Sequence, residues 1–178
     1  MTTSPQKSPQ SQCIRADIAL FDPSLHAAGV VQDAVLVVEN GKVVDCGMWQ
    51  VLASQYAHLP TLQLPAGSLL LPGLVNAHHH GRALDTRQAG MADAPLELWL
   101  PRFLGYPTSD TYAETQFCAA RMLLAGITTS LHAHSHPGPV DAFATNVRTS
   151  LQAYRDLGVR IALAVGHYDQ QLVSYLPD

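Results

Sequence analysis

Charge is scarce in this chain. Asp, Glu, Lys and Arg together make up 13% of 178 residues, and the formal net charge is -4. Nowhere do Lys and Arg gather into a stripe, so a nucleic-acid partner is not expected. No apolar run reaches the roughly 18 residues that a membrane helix needs, so no membrane partner is expected either. Cysteine is sparse too. Cys13, Cys46 and Cys118 are far apart and form no C-x-x-C. That excludes a disulfide framework and reads as reduced thiols in a cytoplasmic protein. The opening "MTTSPQKSPQSQ" has no apolar core of a signal peptide. Residues 1–12 read as a disordered leader. What the chain does have is apolar content, 47%, enough for a sizeable core.

Two rhythms divide the rest. Residues 13–67 read as a small β-rich domain. "DIALFD" alternates, and "DAVLVVENGKVVDCG" is two apolar runs around Asn40-Gly41. That dipeptide is preferred in a two-residue type I′ hairpin turn. "MWQVLASQYAHL" could form a short helix, and "TLQLPAG" supplies one more strand. From residue 68 the pattern changes. "SLLLPGLVNAHHH" is a continuous apolar run, as in a strand buried on both faces. A helix is predicted over 111–125, opened by a capping box of Thr111 with Glu114. A strand "ITTSLHAHSH" follows, then a helix over 141–157, then a strand "VRIALAVGHY". Strand, helix, strand, helix, strand predicts a parallel α/β sheet.

The histidines fall at the ends of these strands. Side chains alternate along a strand, so His78 and His80 share a face and His79 points the other way. Both sit at the C-terminal end of the first parallel strand, where α/β folds place their chemistry. Two imidazoles at i and i+2 can share one divalent ion, zinc or iron rather than magnesium or calcium. The spacing alone fits a solvated histidine cluster at a loop start equally well.

The surrounding residues narrow the choice. "LLLPGLVNAHHHG" resembles the signature of the amidohydrolase superfamily, an apolar strand leading through Pro-Gly into (D/N)-x-H-x-H. "VENGKVVDCG" is similar to the hairpin of that family's N-terminal β-domain. "PLELWLPRFLG" and "ARMLLAGITTS" resemble its chlorohydrolase and aromatic deaminase branch. The resemblance implies a (β/α)8 barrel attached to a composite β-sandwich, with 68–178 as the first part of the barrel. It implies His78 and His80 as ligands of a divalent metal, zinc or alternatively iron. It also implies a small-molecule substrate with a C–N or C–halogen bond, attacked by metal-activated water. A barrel takes about 250 residues, so the chain reads as the N-terminal part of a longer enzyme. The proton carrier and further ligands that the family places on later strands have no counterpart here, and the catalytic residues stay unassigned.

Arg82, His132, His134 and His167 are the pocket candidates. Arg82 follows the histidine motif and could meet an anionic substrate group, or simply lie at the surface. His132, His134 and His136 share a face if the strand runs that far, as a pocket wall or as partners that orient a ligand; the alternative is that His132 packs in the barrel and the others sit in a loop. His167 ends the third strand. Asn76 is expected to fix the strand end by hydrogen bonding. The functional expectation is a hydrolase that deaminates or dechlorinates a heterocycle. A cyclic amidase or N-acyl amidohydrolase of the same superfamily, and a non-catalytic metal-binding module, are the alternatives. Homo-oligomerisation of the full-length protein is a further expectation.

Overall fold

In the computed structural model, which describes residues 11–105, 110–134 and 140–166, the first strand begins earlier than its composition suggests. Strand β1 (Gln12–Leu20) takes in Gln12, the end of the expected leader. The strand β2 (Val30–Glu39) runs antiparallel to it along its whole length. A kinked 3-10 segment, Pro23–Gly29, joins the two. Asn40 and Gly41 then turn the chain into β3 (Lys42–Met48). Both have positive φ, 51° and 73°, the pair of left-handed residues that a type I′ turn requires. A short helix α1 (Trp49–Leu52) follows, then β4 (Thr61–Gln63) and β5 (Leu69–Leu70), each parallel to β1. The sheet order is β3-β2-β1-β4, with β5 also on β1. Cys13, Val35 and Val37 are its buried centre, and Trp49, Leu52, Tyr56 and Leu59 pack over them. These elements make up one compact unit, Met1–Pro72.

The apolar run 68–79 is therefore not one strand. Leu69 and Leu70 pair with Ile18 and Ala19 of the first sheet. Only Leu74–His79 (β6) belongs to the second unit, Gly73–Asp178. A proline and a glycine at 72–73 separate the two pieces, since proline brings no N–H to a sheet ladder.

The second unit continues through a short helix α2 (Leu96–Trp99) and a 3-10 segment, Leu100–Gly105. It then alternates α3 (Thr111–Leu124), β7 (Ile127–His134), α4 (Val140–Leu157) and β8 (Arg160–Val165). The sheet order is β6-β7-β8, all parallel, the α/β arrangement predicted. Ala119, Met122, Tyr154 and Val159 form the buried core between helices and sheet, with Ile127 and Ile161 against them. Hydrogen bonds link the helices, among them Tyr112 to Asp156 at 2.7 Å and Asn146 to Thr111 at 2.7 Å.

The start of α3 differs from the expected capping box. Asp110 is the N-cap, and its Oδ1 accepts from Ala113 N at 2.8 Å. The Glu114 carboxylate is used elsewhere, on the backbone of Ala83. An aspartate side chain accepts from the first-turn N–H groups as well as a threonine does, and Asp110 stands one residue earlier. Replacing Asp110 by Ala should cost about 1 kcal/mol in urea unfolding, while Asp110→Asn should cost only a few tenths. Equal effects of the two variants would show that capping is not what Asp110 does.

Candidate metal centre

Strands β6 and β7 do not run in step. Asn76 lies opposite Ser130, and His79 lies opposite His132. Three steps on β6 thus span two on β7, so β6 carries an extra residue in a bulge. The Asn76 side chain holds this bulge, with Oδ1 accepting the His78 N–H at 3.2 Å. That is the strand-end role expected of it. Across the bulge the parity of the strand changes, so that Asn76 and His79 both lie on the side of Ser130 and His132. His78 and His80 are left on the opposite side.

There the two rings meet. His78 Nε2 and His80 Nε2 are 3.0 Å apart, with the rings edge to face at 84°. Two nitrogens bound to one tetrahedral zinc stand about 3.3 Å apart, given Zn–N bonds of about 2.05 Å. The pair is thus preset to within a few tenths of an ångström of sharing an ion. His80 Nδ1 is 2.9 Å from the carbonyl oxygen of Ala133. A carbonyl only accepts, so Nδ1 carries the proton and the Nε2 lone pair faces His78. A ligating histidine is oriented in the same way. Among the described residues, no group of three His, Cys, Asp or Glu side chains gathers to hold a metal. The residues at hand supply two imidazoles, and a catalytic zinc takes about three protein ligands.

His79 points away, as alternation predicts. Its Nε2 is 2.8 Å from the Sγ of Cys118 on α3. Burial pushes the Cys118 thiol up to about 11, so it stays protonated and donates. Burial first, then the neighbouring His80 and His78, lowers the basicity of the His79 ring, which stays neutral and accepts.

His132 and His134 do not stand on the side of His78 and His80; for His132 this is the packing that was the alternative to a pocket wall. They do share a face, but it is the face turned to the helices. His132 is 2% exposed and His134 is 4% exposed. The Tyr154 hydroxyl lies 3.1 Å from His132 Nδ1, and Phe143 meets the His134 ring edge to face at 5.3 Å. Burial, with His134, His79 and His80 close by, pushes the His132 pKa down to about 3. Period-2 alternation shows which residues travel together. It does not say which side the helices cover. His136 and His167 lie outside the described residues. Arg82 is half-buried, next to Gly81.

Sequence reasoning missed three residues near this centre. Glu114, Cys118 and Arg121 occupy one face of α3, and all three reach the segment that carries the histidines. Their i, i+4, i+7 spacing, which puts all three on one stripe of the helix, was the available signal.

With the fold and the pair in view, the chain can be placed among known proteins. It belongs to the amidohydrolase family, whose sequence profile matches residues 69–175. It is 33% identical over 162 residues to an 8-oxoguanine deaminase of Pseudomonas aeruginosa, covering 86% of this chain and 33% of that protein. Its fold is similar to that of E. coli guanine deaminase, with a TM-score of 0.66 at 20% identity over 94% of this chain and 39% of the other. It is also similar to an atrazine chlorohydrolase from Arthrobacter aurescens TC1 complexed with zinc, with a TM-score of 0.62 at 23% identity over 86% and 35% of the two chains. The chain thus spans about a third of the length of these relatives. Its second unit is the first part of a (β/α)8 barrel. Zinc-bound neighbours support a divalent metal in this fold.

Gly81, just past His80, is constrained twice. Its φ is +70°, and a Cβ there would stand 2.6 Å from Cε1 of the His132 ring. Gly90 also has positive φ, 82°, but open space around it. Gly90→Ala should therefore cost about 1 kcal/mol of conformational strain, and Gly81→Ala roughly 1–3 kcal/mol more. Denaturant titration of both variants checks this, and equal costs would mean that the His132 ring gives way freely.

Proposed function

We propose that this chain supplies the first strand's share of a divalent-metal centre in a hydrolase that deaminates or dechlorinates a nitrogen heterocycle. The observation that carries this reading is the Nε2···Nε2 approach of 3.0 Å between His78 and His80, with His80 oriented by Ala133. The deaminase and chlorohydrolase neighbours support the substrate class, a small heterocycle with a C–N or C–Cl bond to be cleaved. A bound divalent metal supplies a water that is acidic enough to be hydroxide near neutral pH. Zinc is the metal proposed, in keeping with two imidazole donors.

His78 and His80 would hold the ion through Nε2, and their share of the work is to fix its place at the strand end. Further ligands, and the group that carries the proton to the leaving amine, belong to chain outside the described residues. Arg82 is proposed as a contact for an anionic or carbonyl group of the substrate. No helix among the described residues is long and apolar enough to cross a membrane, and a cytoplasmic enzyme, homo-oligomeric at full length, is the proposed setting.

The test is elemental analysis of the 178-residue chain, paired with ammonia release from a panel of aminated heterocycles by the barrel extended to its relatives' length. His78→Ala and His80→Ala should each lower bound zinc at least tenfold and abolish turnover, since each removes a ligand outright. Full metal content and turnover in either variant would remove the pair from the centre.

A further inference from the structure

We propose that one face of α3, formed by Glu114, Cys118 and Arg121, is a positioning clamp that sets where the His78 and His80 rings stand. The inference rests on the metal-centre reading above and adds the residues that tune it. The three side chains recur at i, i+4 and i+7, so they form one stripe along the helix. Each reaches the segment that follows the bulge. Cys118 bonds the His79 ring at 2.8 Å. Glu114 Oε1 accepts the Ala83 N–H at 3.3 Å, and Arg121 Nη1 donates to the Ala83 carbonyl at 3.1 Å. The helix thereby holds the chain on both sides of His80.

Between those anchors lie only His80, Gly81 and Arg82, and two of them have little freedom left. The His80 ring is tied to Ala133 through Nδ1. Gly81 lies directly over the His132 ring, too close for any side chain. A helix that shifted along the sheet would carry His79 and Ala83 with it and swing the His80 ring away from His78. Metal ligation tolerates such displacement poorly. Partners that orient a ligand, without touching the ion, commonly change affinity 10–100-fold when removed. Nor is Cys118 simply a core thiol, because alanine would pack in its place but could not donate to His79.

The test uses the 178-residue chain and two readouts. One is zinc affinity, by competition with a chromophoric chelator at neutral pH. The other is amide hydrogen exchange over residues 80–83 in the metal-free protein. Cys118→Ala should weaken zinc binding 10–100-fold and speed exchange, while Cys118→Ser, which keeps a donor, should restore affinity to within about threefold of the parent. Arg121→Met, at an exposed position, should shift both readouts in the same direction and serves if the Ala variant does not fold. Unchanged exchange in Cys118→Ala, or no recovery in Cys118→Ser, would overturn the clamp. If no variant and not even the parent binds zinc, yet exchange follows Cys118, the clamp stands and the metal reading fails.

Discussion

The register between β6 and β7 is the constraint on which the rest of the second unit depends. A single extra residue between Asn76 and His79 decides which imidazole goes to which layer. With a regular ladder, Asn76, His78 and His80 would share one face, and the turn after the strand would have a different phase. The bulge instead sends Asn76 and His79 to the helices and leaves His78 and His80 outside. Bulges re-aim side chains in this way and are common beside functional sites. Here the Asn76 carboxamide stabilises the irregularity locally, because it accepts the His78 N–H from within the bulge.

The buried side of the sheet shows what that separation costs. Ser130, His132 and His134 are polar groups under helices, in a layer that elsewhere holds Ala119, Met122 and Val159. Polar groups survive there only with partners. Tyr154 supplies one to His132, and Cys118 supplies one to His79. Burial keeps each of these groups in its neutral form, with the thiol and phenol protonated and the imidazoles uncharged. These two pairs therefore supply directional hydrogen bonds in their neutral forms.

Much of this was legible in the sequence. The Asn40-Gly41 turn, both long helices, the three parallel strands and the pairing of His78 with His80 follow from local rules of turn chemistry and periodicity. What was not legible depends on the partner. The run at 68–79 reads as one strand because periodicity cannot show that Leu69 and Leu70 pair with β1. Thr111 reads as the cap because Asp110 and Thr111 are both good caps, and the sequence does not show that Glu114 is needed at Ala83. For His132 and His134 the choice between pocket and packing stays open in the sequence because alternation gives a shared face without its direction. Each failure concerns the far side of a contact, which a single sequence leaves unspecified.

The same division separates geometry from strength at the His78–His80 pair. Geometry is set within the second unit, by Ala133, Cys118 and Gly81. Strength is a matter of the surroundings. His78 and His80 are exposed, and the side of the sheet they share carries Val75 at 69% exposure and Leu131 at 38%. An ion held there faces bulk water, where two unit charges 4 Å apart interact by only about 1 kcal/mol; an effective dielectric of about 20 raises that to about 4 kcal/mol. Whatever covers the apolar residues beside the pair also removes the water that screens it. In the proposed centre, coverage of that face would set how strongly a bound divalent metal acidifies water, and the clamp on His80 would fix where the metal is held.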